Sequence, residues 1–173
     1  MPTIGVAIAI PEPWATELQD YRTAIGDPTA SGVPSHITLI PPLDVDDSLV
    51  DDIEAHLDRV AHRHERFRVH LRGTGTFRPV SPVVFIALAE GISQCEQLAD
   101  DVRDGPLALD LHFPYHPHVT VAHHLGDAEL DRAFDELAGF DCAFDVGEFH
   151  LYVHEGDLGW QSSRSFPLEA IGI

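Results

Sequence analysis

The chain has 173 residues, 44% of them hydrophobic, enough for one domain or two small lobes sharing a core, and no run nears the roughly 18 apolar residues of a membrane span. It carries 29 acidic residues against 10 basic ones, every one an arginine, for a formal charge of -19. Such a surface repels a long polyanion and argues against stable binding to duplex DNA; a small anion, or the end of a short RNA, needs only a local positive pocket.

Residues 3–10, "TIGVAIAI", read as a buried strand. The apolar run lacks a positive flank, so no signal peptide is expected. Residues 13–25 read as a helix, with Trp14, Leu18, Tyr21 and Ile25 at helical spacing and Pro13 near its start. After a loop, residues 35–40 form a strand that Pro41 and Pro42 are expected to stop. A second helix follows over 44–65, its core face lined by Leu49, Ile53, Leu57 and Val60 or Ala61, and its His56, His62 and His64 solvated. Residues 67–72 alternate as a strand, and "GTGTFRPVSP" is a connection in which Gly73 and Gly75 supply turns. Residues 83–89 are a strand and 92–103 a helix, 108–115 stay unassigned, 118–124 are a strand, and "DAELDRAFDELAG" is a helix. "FDCAFDVGEFHLYVHE" and "WQSSRSFPLEAI" supply the last strands. Cys95 and Cys142 match no metal or redox spacing, and a reducing, cytoplasmic setting is expected.

The order suggests two similar halves, each with a strand carrying His-x-Thr: His36 and Thr38 in the first, His118 and Thr120 in the second. The expected fold is α+β, one domain over 1–173 made of two interleaved lobes. Two small antiparallel sheets surround a central cleft, with helices outside. Residues two apart on a strand share a face, so each His–Thr pair points one way and its apolar neighbours the other. Two such pairs facing each other suit a phosphate diester. One histidine accepts the proton of the attacking group, the other protonates the leaving oxygen, and the threonine hydroxyls donate to the non-bridging oxygens.

"HITL" at 36–39 and "HVTV" at 118–121, with "GTFRPVSPVVFIAL" and "PYHPHVTVA" around them, resemble the two-histidine phosphoesterase superfamily, which includes 2'-5' RNA ligase-like proteins and cyclic nucleotide phosphodiesterases. The resemblance spans essentially the whole chain and implies a bilobal, pseudo-twofold fold that opens 2',3'-cyclic phosphates to 2'-phosphates. By that likeness His118 activates water, His36 protonates the leaving 3' oxygen, and Thr38 and Thr120 hold the phosphate. The two histidines exchange roles if the direction reverses. RNA 2'-5' ligation, or non-catalytic binding of a phosphorylated nucleotide, remain as alternatives. Two departures stand out: prolines follow the first motif, and no arginine follows the second.

Further substrate contacts are expected from His116, Arg78, Tyr152, Trp160 and Arg164, with the two aromatic residues as platforms for a base. His124 shares the parity of His118 but stands about 20 Å along the strand, at about 3.3 Å per residue, and is expected to face solvent. No acidic residue joins the nearby histidines at ligand spacing, so neither metal nor cofactor is expected. The expected ligand is a small cyclic phosphate or nucleotide, or a short RNA end. No duplex DNA or membrane partner is expected, and a monomer is.

Overall fold

The alternating apolar residues of the first segment form β1 (Thr3–Ala9), with Val6 and Ile8 buried. In the computed structural model, which describes residues 1–28, 30–111 and 114–170, β1 leads through α1 (Trp14–Ile25) into β2 (His36–Asp44) and α2 (Val50–His62). The chain continues through β3 (Phe67–Thr76), β4 (Val83–Glu90), α3 (Ile92–Val102), β5 (His118–His123) and α4 (Asp127–Glu136). It ends in β6 (Asp141–Val146), β7 (Glu148–His154) and β8 (Trp160–Pro167). The stretch 108–115 that the sequence left unassigned lies partly outside the described residues, as does the final residue of the last predicted strand segment.

These strands make two antiparallel four-stranded sheets, ordered β2-β1-β7-β8 and β5-β4-β3-β6. The expected bilobal α+β architecture with outer helices is present. Each sheet has a His-x-Thr strand at its edge, and β2 and β5 approach each other across the cleft. The helices cross over. α1, which follows β1 of the first sheet, packs on β5 of the second, and α3, which follows β4, packs on β2. Buried side chains of both sheets and all four helices join in one apolar cluster.

Several boundaries move. Pro41 and Pro42 do not stop β2, which runs on to Asp44. As an edge strand β2 tolerates residues without an N–H, and the two prolines form a bulge opposite Gly5, between the Val6–Ile40 and Ile4–Leu43 pairs. The glycine-rich connection after residue 72 is likewise part of β3. Gly73 turns the chain at φ 74°, within a register shift between Leu71 and Thr74, and Gly75 then pairs with Phe85. Leu49 is 38% exposed rather than core, because it closes a short 3-10 turn (Asp47–Leu49) ahead of α2 and so falls out of the helical phase. His56 is buried, not solvated. Its Nε2 lies 3.1 Å from the Val102 carbonyl, on the α2 face that meets α3. His64 lies beyond the end of α2, partly buried against Asp101 at 2.6 Å, while His62 is exposed.

Candidate active site

The period of two places the motif residues as the sequence required. Ile37 and Leu39 on β2, and Val119 and Val121 on β5, are fully buried, which turns His36, Thr38, His118 and Thr120 to the other face. The two edges are built alike. His36 pairs with Ala9 and Thr38 with Ala7; His118 pairs with Ala87 and Thr120 with Phe85. A small residue stands beside each imidazole and leaves it room.

Each imidazole is held by the same bond. His36 Nδ1 lies 2.7 Å from the Pro34 carbonyl, and His118 Nδ1 lies 2.7 Å from the His116 carbonyl. A carbonyl only accepts, so Nδ1 carries the hydrogen in both rings. Nε2 is then the nitrogen available to exchange a proton. Burial pushes both histidines below their ordinary pKa, and the upstream carbonyls partly offset it. Arg22 lowers His36 further, and the charges of His116 and His36 lower His118, an electrostatic link between the two motifs across the cleft. Tyr115 adds a direct tie between the motifs: its hydroxyl donates to the Thr38 carbonyl at 2.6 Å, holding the approach to β5 against β2.

A cavity of about 340 Å³ opens beside these strands. His36, Thr38 and Thr120 line it, together with Tyr152 from β7 and Trp160 from β8. Trp160 lies over Gly5, where a Cβ would already touch its ring at 3.6 Å. His118 is not among the lining residues. Its ring stands edge-on to Phe77 at 4.9 Å and tilted to Phe85 at 5.2 Å, with His116 6.1 Å away in the same aromatic group.

Of the other expected contacts, His116 stays in this aromatic group without lining the cavity, and two arginines lie elsewhere. Arg78 turns to α4, where its guanidinium meets Asp131 at 2.8 Å and Asp127 at 3.7 Å. Arg164 pairs across the sheet with the buried Leu151 and therefore lies on the helix-covered face. It sits over the Phe166 ring at 4.9 Å and near Asp58 of α2 at 3.8 Å. The cation that does line the cavity is Arg22, buried on α1, donating to the Val33 carbonyl at 2.7 Å and paired with Asp27 at 3.4 Å. The signal was there: Arg22 follows Leu18 by four residues on the stripe where an apolar residue is due. His124 also reaches the cavity, contrary to its expected outward position. A positive φ of 59° folds it back at the end of β5, and its ring stacks on His123 at 3.6 Å, so both line the wall.

His36, Thr38, Thr120, the buried guanidinium of Arg22 and the aromatic side chains of Tyr152 and Trp160 thus line one cavity, with His118 on the same face of β5 as Thr120. That set can bind a phosphate diester and move protons on both sides of it. Among the described residues no group of three or more His, Cys, Asp or Glu is placed to hold a metal ion.

Comparison with known proteins finds relatives of the same fold. A family model described as the 2'-5' RNA ligase superfamily matches residues 10–158. A Bacillus cytotoxicus protein bearing a provisional phosphoesterase name is 27% identical over 144 residues, 82% of this chain and 83% of its own. The crystal structure of Escherichia coli LigT complexed with 3'-AMP superposes with a TM-score of 0.69 at 21% identity, covering 97% of this chain and 99% of LigT. A Thermus thermophilus protein, TT0787, gives 0.68 at 24% identity, covering 99% and 100%.

Proposed function

Because the chain belongs to the 2'-5' RNA ligase superfamily, we propose that it is a metal-independent phosphodiesterase that opens a 2',3'-cyclic phosphate to a 2'-phosphate. The observation that carries this reading is the repeated imidazole arrangement: Nδ1–H bound to the carbonyl two residues upstream, at 2.7 Å in both motifs, on edge strands that face each other. His118 Nε2 accepts a proton from water as its oxygen bonds to phosphorus. The P–O3' bond breaks, and O3' takes the proton carried by Nε2 of the imidazolium of His36. Thr38 and Thr120 donate to the non-bridging oxygens as charge gathers there. Tyr152 and Trp160 supply the surface for the base. LigT has been solved with 3'-AMP and with phosphate, ligands of the kind this cavity would take. The strong negative charge disfavours long RNA and with it a ligase role.

Phosphorus NMR of the protein with a 2',3'-cyclic nucleotide in EDTA tests the reading. A 2'-phosphomonoester is the expected product. His36→Ala and His118→Ala should each cut turnover by about 10²–10⁴-fold with the fold intact. Full turnover in both variants would refute the mechanism.

A further inference from the structure

The cavity beside His36 inverts the charge of the chain around it. The sequence holds 29 acidic residues. Among the described residues no Asp or Glu lines that cavity, and its one permanent charge is the guanidinium of Arg22. The fold holds this 3% exposed arginine from behind. α1 ends at Ile25, and Gly26, at φ 89°, turns the chain back so that the Asp27 N–H bonds the Arg22 carbonyl at 3.0 Å. The Asp27 carboxylate then meets Arg22 Nε at 3.4 Å, while Nη1 donates to the Val33 carbonyl at 2.7 Å. Asp27 is buried and is not part of the cavity wall. The ion pair is therefore polarised, with its carboxylate in the protein and its guanidinium on the cavity side.

The other elements around His36 leave that charge unopposed. β1 gives Gly5 and Ala7 to the cavity, β7 gives Tyr152, and α3 packs on the opposite, apolar face of β2. β5 brings His118, and at its end the stacked rings of His123 and His124. Burial and the adjoining His124 hold His123 below its ordinary pKa, so at neutral pH the fixed charge of this wall is that of Arg22. In the free protein burial disfavours the imidazolium of His36, and Arg22 disfavours it further. The acid role needs that imidazolium. An anion seated between the two groups reverses the balance, because it attracts guanidinium and imidazolium together where little water screens them.

We propose that Arg22 is the anion anchor of the cavity and that it loads His36: a phosphate oxyanion seated against the guanidinium draws a proton from solvent onto His36 Nε2, so that His36 becomes a general acid only with ligand bound. Nδ1–H stays on the Pro34 carbonyl throughout. The role of His36 as acid rests on the phosphodiesterase reading; the anchor and the proton uptake do not.

Sulfate is the probe, because it mimics a phosphate and brings no proton of its own near neutral pH. Calorimetric titration of the full chain in two buffers of different ionisation heat reads the proton uptake. NMR of the histidine rings at stepped pH, with and without saturating sulfate, reads which ring takes the proton. Wild type should bind sulfate with uptake, and the His36 titration should move to higher pH. His36→Gln should bind sulfate without uptake. Arg22→Gln should weaken sulfate binding about tenfold or more, and Arg22→Lys less. The paired change Arg22→Gln with Asp27→Asn repeats the test without an unpaired buried carboxylate. A merely structural Arg22 would lower Tm in these variants and leave the sulfate affinity of the folded protein intact. That result would overturn the proposal, as would a wild type that binds no sulfate or whose His36 titration saturating sulfate leaves in place; this last arm needs no variant to fold. Turnover of a cyclic nucleotide separates the two readings. Sulfate-driven charging of His36 without turnover defeats the phosphodiesterase reading, whereas turnover with His36 unmoved by sulfate defeats the anchor alone.

Discussion

Replacing Gly75 by alanine should damage the second histidine from the opposite strand. Gly75 faces Phe85 across the β3–β4 ladder, and a Cβ at position 75 would lie 2.6 and 2.7 Å from two carbons of that ring. Ordinary carbon contacts are about 3.5–4.0 Å, so the ring must move by roughly 1 Å. It cannot swing freely. Phe85 is 5% exposed and packed by Phe77 at 4.5 Å, His116 at 5.3 Å and His118 at 5.2 Å. Overpacking of this kind costs about 1–3 kcal/mol, which for a chain of this size is a fall in Tm of about 2–12 °C. The displaced ring pushes on His118, and a misplacement of about 1 Å in a catalytic group costs about 10²-fold in rate. Thermal melts and cyclic-nucleotide turnover on the same preparation measure both. Phe85→Leu in the alanine background should recover part of the Tm, because the two changes share one contact and do not add. Wild-type melting and turnover in Gly75→Ala, or strict additivity of the pair, would refute the reasoning.

Acid should weaken the fold. His36 and His118 are both held below the ordinary histidine pKa of about 6.5 by burial, so the unfolded chain takes up protons first as the pH drops. Their contribution to stability is full above about pH 6.5 and is lost as the pH falls through that value and on through the depressed folded ones; melts from about pH 7.5 to 5.5 should decline, and less steeply in His36→Gln. For the same reason kcat/KM, which reports the free enzyme, should trace a bell centred on the acid side of about pH 6.5. Tyr115→Phe removes the hydroxyl that bonds the Thr38 carbonyl and should cost about 1 kcal/mol in denaturant melts, with kcat lowered more than KM is raised. A charge of -19 implies self-repulsion, and raising sodium chloride from about 0.1 to 1 M, which shortens the screening length from about 10 to 3 Å, should raise Tm.

Local periodicity carried the reading of the site where one strand decides the outcome. Alternation at 35–40 and 118–124 was enough to turn His36, Thr38, His118 and Thr120 to one face, because burial of Ile37, Leu39, Val119 and Val121 leaves them no other. It failed where a neighbour decides. Whether prolines end β2 depends on β2 being an edge, and that is a property of the sheet. Arg78 and Arg164 were drawn away by Asp131 and Asp58, residues on helices whose packing no local pattern reveals. Arg22 reaches the cavity only because α1 lies against the other lobe's strand. Tyr152 and Trp160, which the sequence puts only in the closing hairpin, line the cavity wall because β7 and β8 lie beside β1 in the first sheet.

The interleaving of the lobes sets a clock on assembly. Val6 of β1 pairs with Leu151 of β7, and the strand that carries His36 rests on α3, whose helix belongs to the second half of the chain. Closing such distant pairs is slow, because the loop entropy is lost before the contacts form. On a ribosome, β1 would wait with its inner edge bare until residues 148–154 had emerged, an exposed edge of the sort that invites stray pairing. The acidic, lysine-free surface keeps such half-made chains apart by repulsion during that wait.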